Sequence, residues 1–223
     1  MTESRRRHSQ PLRWLALVSS AGTAFACASY SPHQGARLTP MGKNEAAFAA
    51  DALVLDRGLG PELFALPEFA LSRGLSRDWD LGGRVYPFGL EVNARHRILE
   101  RGGYLASVMP LFAVSQVSAT NPDTNFVELT SGGVLLNGIT LGPRLHLSLG
   151  LRSQLRLGLN AVSVREDFDA ANWALLSGTS AALHWRVSEQ STLIPGVVVL
   201  FPYDFERDDW DFPLFQGGAA ITW

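Results

Sequence analysis

The chain has 223 residues, 46% hydrophobic and 18% charged, with 21 glycines and 12 prolines, enough apolar content for one sizeable domain and too much for a disordered chain. Its formal charge is -2 and no basic run follows the N-terminus, which excludes a nucleic-acid-binding protein. The single cysteine, Cys27, excludes a disulfide framework and a thiolate zinc cluster.

Residues 1–26 read as an export signal. "RRRHSQPLR" is a positive n-region, "WLALVSSAGTAFA" an apolar stretch of 13 residues, and Ala24-Phe25-Ala26 a small-x-small cleavage site. The stretch is too short to cross a bilayer as a helix. Its removal takes off Arg5, Arg6, Arg7, Arg13 and Glu3, leaving 15 basic and 20 acidic residues and a formal charge of -5. Cys27 then stands first. "AFAC" resembles the cleavage box of bacterial lipoproteins, with alanine in place of the usual leucine three residues before the cysteine. The resemblance implies a lipid on Cys27; ordinary signal cleavage after Ala26 would leave it unmodified.

Residues 27–43 read as a polar linker that carries an anchored N-terminus to the wall of the domain that follows. "CASYSPHQGARLTPMGKNEAAF" resembles the start of small outer-membrane lipoproteins, in which the lipidated cysteine is followed by an Ala-Arg-x-x-Pro-x-Gly-Lys segment. Ala36, Arg37, Pro40, Gly42 and Lys43 hold that spacing. The family implies location more than activity.

Beyond residue 27 no apolar run approaches the roughly 20 residues that a membrane helix needs, so any crossing is made in strands. Backbone groups in hydrocarbon must all be hydrogen-bonded, which leaves a closed barrel as the sheet solution. We therefore expect an all-β, closed antiparallel up-and-down transmembrane barrel over 44–223. About ten strands are expected, at 44–55, 63–73, 78–86, 89–99, 104–115, 128–147, 152–164, 173–187, 191–201 and 213–223. An eight-stranded count also fits.

The period-two signal is clearest in "LEVNARHRIL", where Leu90, Val92, Ala94, His96 and Ile98 alternate with Glu91, Asn93, Arg95, Arg97 and Leu99. "SQLRLGLNAVSV" and "TSAALHWRV" repeat it, placing Arg156 and Arg186 opposite leucine and tryptophan. "GLSR", "ERGG", "SLGL" and "SEQ" are short connections, whereas "QVSATNPDTNF", "REDFDAAN" and "PYDFERDDWDF" are long. Tight periplasmic turns and longer external loops alternate in this way in outer-membrane barrels.

The last strand runs into "QGGAAITW". If it closes the barrel against the first, Trp223 lies at the periplasmic interface, where its amphipathic ring is favoured. Phe215, Gly217, Ala219, Ile221 and Trp223 then share the lipid-facing side. Here the chain resembles bacterial outer-membrane β-barrel proteins, whose final strand carries the signal read by the barrel-insertion machinery. The resemblance implies that role for Gln216, Gly218, Ile221 and Trp223.

Alternation places Glu68, Asp80, Arg84, Glu91, Arg95, Arg97, Arg144, His146, Arg156, His184 and Arg186 in the lumen. Such charges are expected to pair across strands and fill a narrow interior. Aligned arginines in excess over acids would instead make an anion path. "HLS", His146 to Ser148, resembles the His-x-Ser pair of a lipid A deacylase, but both side chains should face the lumen near a periplasmic turn and no acid completes a triad. Neither an enzyme nor a cofactor is expected. "YDFERDDWDF" sets Asp204, Glu206, Asp208, Asp209 and Asp211 among aromatics, and "REDFDAAN" adds Glu166, Asp167 and Asp169. Such loops suit a solvated acidic surface, or contact with cation-bridged lipopolysaccharide or a surface partner.

The expected protein is thus a non-enzymatic barrel lipoprotein of a Gram-negative outer membrane, surrounded by outer-membrane lipids, with a structural or surface-interaction role. The alternatives are a narrow channel for small solutes and a soluble periplasmic β-sandwich or lipocalin-like binder, whose apolar face would point inward.

Overall fold

A computed structural model describes residues 31–56, 61–87, 89–118, 125–160, 172–205, 208–210 and 213–223. The export signal, Cys27, the loop acids Glu166, Asp167 and Asp169, and Glu206 and Asp211 lie outside the described residues.

The described chain forms ten long antiparallel strands and one two-residue strand: β1 (Asn44–Asp56), β2 (Pro61–Gly74), β3 (Trp79–Tyr86), β4 (Gly89–Arg101), β5 (Tyr104–Ser118), β6 (Asn125–Gly142), β7 (Leu145–Asn160), β8 (Asn172–Arg186), β9 (Thr192–Asp204), β10 (Asp209–Trp210) and β11 (Leu214–Thr222). Each pairs with its neighbour in sequence, except that β10 is a short hairpin appendage on β9 and β11 takes the place beside β9. The ring closes where β11 meets β1, from Ala47 opposite Thr222 to Val54 opposite Phe215. Trp223 seals the seam, exchanging N–H···O bonds of 3.0 Å in both directions with Ala46. Closure gives each long strand a partner on both sides, which is what lets a sheet live in hydrocarbon; β2 extends past β3, so its Pro61–Glu68 half pairs with β1 alone among the described residues.

Local chemistry sets the turns. Gly102 and Gly103 have φ of +59° and +84°, the two left-handed positions that a tight two-residue hairpin needs and that a glycine adopts without strain. The turn between β6 and β7 differs from the sequence reading, which runs one strand over 128–147 and puts the turn at Ser148–Leu151. It lies at Pro143 and Arg144, where proline has no N–H to give the ladder. The break is hidden in the sequence because residues 129–141 carry apolar side chains on both faces. Strand β9 also runs past 201 to Asp204 before folding back as β10.

The outward face is apolar. On β7, Leu149, Leu151 and Leu155 are exposed while His146, Ser148, Arg152 and Gln154 are buried inside. Phe48, Phe69, Phe112 and Phe201 continue the outer surface around the ring. Exposed Trp79, Trp185 and Trp223 stand at the short-turn end, and Trp173, Phe205 and Trp210 at the other. An apolar band between two aromatic girdles is the exterior of an outer-membrane barrel, with the short turns periplasmic. A soluble sandwich or lipocalin-like binder is excluded, since either would turn the apolar face inward.

Candidate functional site

The site is the lumen, and its centre is a charged network. On β3, Arg84 sends Nη2 to Glu91 Oε2 of β4 at 2.5 Å and Nη1 to Glu68 Oε2 of β2 at 3.3 Å, and all three side chains are buried. The guanidinium lies over the Tyr86 ring, and Tyr86 shares a hydrogen bond with Ser115 of β5. Below it, Arg95 of β4 grips Asp80 of β3 through Nε at 3.0 Å and Nη2 at 2.5 Å. Arg156 Nε stands 3.6 Å from Glu128 Oε2 across β7 and β6. Arg84, Glu91, Arg95 and Arg156 thus point into the lumen.

Arg97 and Arg186, expected in the same set, lie at the periplasmic rim. A β-bulge between Arg97 and Leu99 ends the alternation of β4, so Ile98 and Leu99 are both exposed. Arg97 turns to the β2–β3 turn, where it holds Asp78 through Nη2 at 2.8 Å and Nε at 3.1 Å, and it also pairs with Glu100. Its N–H donors keep the Asp78 carboxyl below the usual carboxylate range. Arg186 is the last residue of β8, exposed at the mouth beside Arg144.

The content of the lumen is not visible in the sequence pattern. The segment 31–40, which reads as a linker, lies inside the barrel: Ser31, Pro32, His33, Ala36 and Thr39 are buried. His33 Nε2 is 2.6 Å from Asp51 Oδ1 of β1. Gln34 donates to Glu91 at 3.3 Å, and Thr39 N–H donates to Asp80 Oδ2 at 2.8 Å. Three barrel side chains donate to carbonyls of the segment: Arg95 to Gly35 and Arg37 at 3.1 and 3.2 Å, Ser107 to Ala36 at 2.7 Å, and Arg152 to Ser31 at 3.2 Å. Ala36 packs into an apolar patch of Leu105, Met109, Leu111, Val134 and Leu136. The segment enters at the periplasmic mouth, beside Asn44, and rises so that Ser31 is its most inward described residue. Around it remains a cavity of about 740 Å³ whose mouth carries Arg37, Lys43, Arg144 and Arg186.

Of the residues implied as the insertion signal, Ile221 and Trp223 are exposed on the outer wall, while Gln216 and Gly218 face inward. Gln216 has a part in the network, donating to Asp51 Oδ2 at 2.6 Å and to Glu68 Oε1 at 3.5 Å. Gly218 leaves room for the same Asp51 carboxylate, which would sit 2.2 Å from a Cβ there. Asp51 is absent from the lumen set that alternation yields, although a lone aspartate within the apolar "AFAADALVL" is a signal for an inward charge.

His146 and Ser148 face inward near the periplasmic turn. His146 Nδ1 is 3.4 Å from Thr140 Oγ1, and its ring meets His184 edge-on at 5.8 Å. Among the described residues no carboxylate completes a triad with them, and no group of three or more His, Cys, Asp or Glu could hold a metal ion. His96 is on the outer face, stacked on Trp79 at 4.3 Å. At the external end Tyr203 packs edge-on against Phe205 and Trp210 at 5.3 and 5.1 Å, with Asp204 and Asp209 paired across the β9–β10 hairpin.

No protein-family model matches the chain, and no curated protein matches it. Among solved structures it is similar to Neisserial surface protein A, at 10% identity over 80% of this chain and 95% of that one, with a TM-score of 0.43. It is also similar to the outer membrane protease OmpT from Escherichia coli, at 8% identity over 86% and 99% of the two chains, with a TM-score of 0.47. A third is Ail, the attachment invasion locus protein of Yersinia pestis, at 10% identity over 82% and 99%, with a TM-score of 0.33. Likeness at this level says nothing of ligand or activity.

Proposed function

We propose that the chain is a non-enzymatic outer-membrane barrel lipoprotein with a structural or surface-interaction role, closed to solute flow. One observation carries this reading: the segment 31–40 occupies the lumen, and the inward arginines Arg84, Arg95, Arg152 and Arg156 are engaged by carboxylates or by the carbonyls of that segment. Arg84, Arg95 and Arg156 each have a carboxylate partner in the lumen. Outer-membrane lipids cover the wall, Cys27 carries the lipid, and the insertion machinery reads the β11 strand. The external aromatic and acidic hairpin at Tyr203–Trp210 is the surface that meets lipopolysaccharide or a surface partner.

The experiment is conductance of the purified protein in planar bilayers, where no sustained current is expected. Steady single-channel steps that disappear when Arg84, Arg95 and Arg156 are shortened would replace this reading with a narrow channel. That second reading is favoured by the cavity of about 740 Å³ left beside the segment, whose lining includes Arg84, Arg95, Arg144 and Arg186.

A further inference from the structure

We propose that the periplasmic half of the lumen is a peptide-binding channel, whose resident ligand is the chain's own Ser31–Pro40 and which takes another peptide of the same pattern in its place. Among the described residues the segment joins the barrel ladder through one bridge, Met41 with Gly74, backed by a Gly42 N–H bond of 2.9 Å to Gly74 O. From Ser31 to Thr39 its bonds to the wall are made by barrel side chains.

Those side chains read backbone. Arg95, Ser107 and Arg152 donate to four carbonyls of the segment, and Asp80 accepts from its Thr39 N–H. The groups come from β3, β4, β5 and β7, and Asp80 and Ser107 are enclosed to 1% and 0% exposure. Polar groups buried so completely need partners, and the backbone of the segment, turned at Pro32–His33 and bent at Ala36–Arg37, supplies them. These bonds go to main-chain carbonyls, which every residue carries.

The wall is also shaped to the thread. A Cβ on Gly74 would lie 2.2 Å from Pro40 O, and one on Gly196 would lie 3.0 Å from Pro32. Two strands thus lack a side chain where the segment passes. The converse constraint falls on the ligand: a Cβ on Gly35 would lie 2.6 Å from the His184 ring. The channel therefore accepts a peptide that turns and bends as this one does, with glycine at that position, a small apolar residue next to it, and polar side chains facing Asp51, Glu91 and Ser72. This goes beyond the closed-barrel reading, because a lumen can be closed by a fixed core or by an exchangeable one.

The test uses the Cys27→Ala chain, in which no lipid holds the segment, with a protease site inserted after Gly42, which is exposed and is kept because its φ of +73° favours glycine. The folded barrel is cleaved in detergent, and a fluorescent peptide with the sequence of residues 31–40 is added. Saturable binding by anisotropy is expected, with at least tenfold weaker binding for the peptide bearing Gly35→Val, and recovery of that peptide in the His184→Ala barrel. A chain lacking 31–39, checked for folding by heat-modifiability, should bind the unaltered peptide without cleavage. Failure of the cleaved segment to exchange, or equal binding of the Gly35→Val peptide, would overturn the proposal and make the segment a fixed part of the core. A conducting wild-type barrel would sink the closed-barrel reading and leave peptide exchange to stand or fall separately.

Discussion

Replacing Arg84 by methionine tests whether the lumen network is a source of stability or only a filling. Methionine keeps most of the stem, so the change isolates the charge. Arg84 contacts Glu91 at 2.5 Å and Glu68 at 3.3 Å, with side chains no more than 3% exposed. At an effective dielectric of about 20, a unit-charge contact near 4 Å is worth about 4 kcal/mol. Two such contacts are lost together, and relaxation with water entry brings the net cost to about 3–5 kcal/mol, the usual result of stranding a buried charge. Glu91 keeps Gln34 and Asn93 as donors, so the larger share falls on Glu68. The triple variant Arg84→Met, Glu68→Gln, Glu91→Gln removes the stranded charges and should regain most of the loss. The assay is urea unfolding of the barrel in lipid vesicles, followed by tryptophan fluorescence and heat-modifiability. A loss below about 1 kcal/mol for the single variant, or a triple variant no more stable than the single one, would refute the reasoning.

Three further outcomes are expected. Deleting Trp223 removes the interfacial anchor and the last bonds of the seam to Ala46, so folded protein in purified outer membranes should fall sharply, while Trp223→Phe should be mild; equal amounts of wild type and deletion would dismiss the closing role. Asp78 has a depressed folded value through Arg97, so its contribution is present above the unfolded pKa of roughly 3.9 and is lost as pH falls through the folded value. Carbon-detected NMR should put the Asp78 midpoint below that of a free aspartate and Arg97→Gln should return it, whereas an unmoved midpoint would remove the ion pair from consideration. Wild-type cells fed labelled palmitate should mark the protein, and Cys27→Ala should lose the label yet fold; unlabelled wild type would discard the lipoprotein assignment.

How much of this can be read from the sequence depends on where side chains carry the message. Period two in β4, β7 and β8 exposes the inward face because arginine, glutamine and histidine alternate with leucine and tryptophan, and Trp223 announces a closing strand. Where both faces are apolar, as in β6, alternation is silent, and the turn at Pro143 is displaced by several residues. That displacement also conceals Arg152, which the pattern assigns to the start of a strand instead of the mid-lumen. The bulge at Ile98 is set by pairing with β5 and leaves no mark in the one-strand pattern; Arg97, just before it, keeps its register opposite Ser107, and alternation, which gives the face and not the depth, puts it too deep. The segment 31–40 is the least legible: Ser, Pro, Gln, Gly and Thr have the composition of a tether. Its recognition passes through carbonyls and through glycine clearance, neither of which has a periodic signature.

The reach of that segment has a consequence for how a change in it would spread. Its contacts run to β1 through His33 and Asp51, 18 residues apart; to β3 through Thr39 and Asp80, 41 apart; to β4 through Gly35 and Arg95, 60 apart; to β5 through Ala36 and Ser107, 71 apart; and to β7 through Ser31 and Arg152, 121 apart. Loop-closure entropy grows only with the logarithm of length, so the last of these contacts costs about 1.7 kcal/mol more to close than the first. One thread thus ties strands of the early and the late barrel together, and losing it removes contacts from both halves of the wall at once.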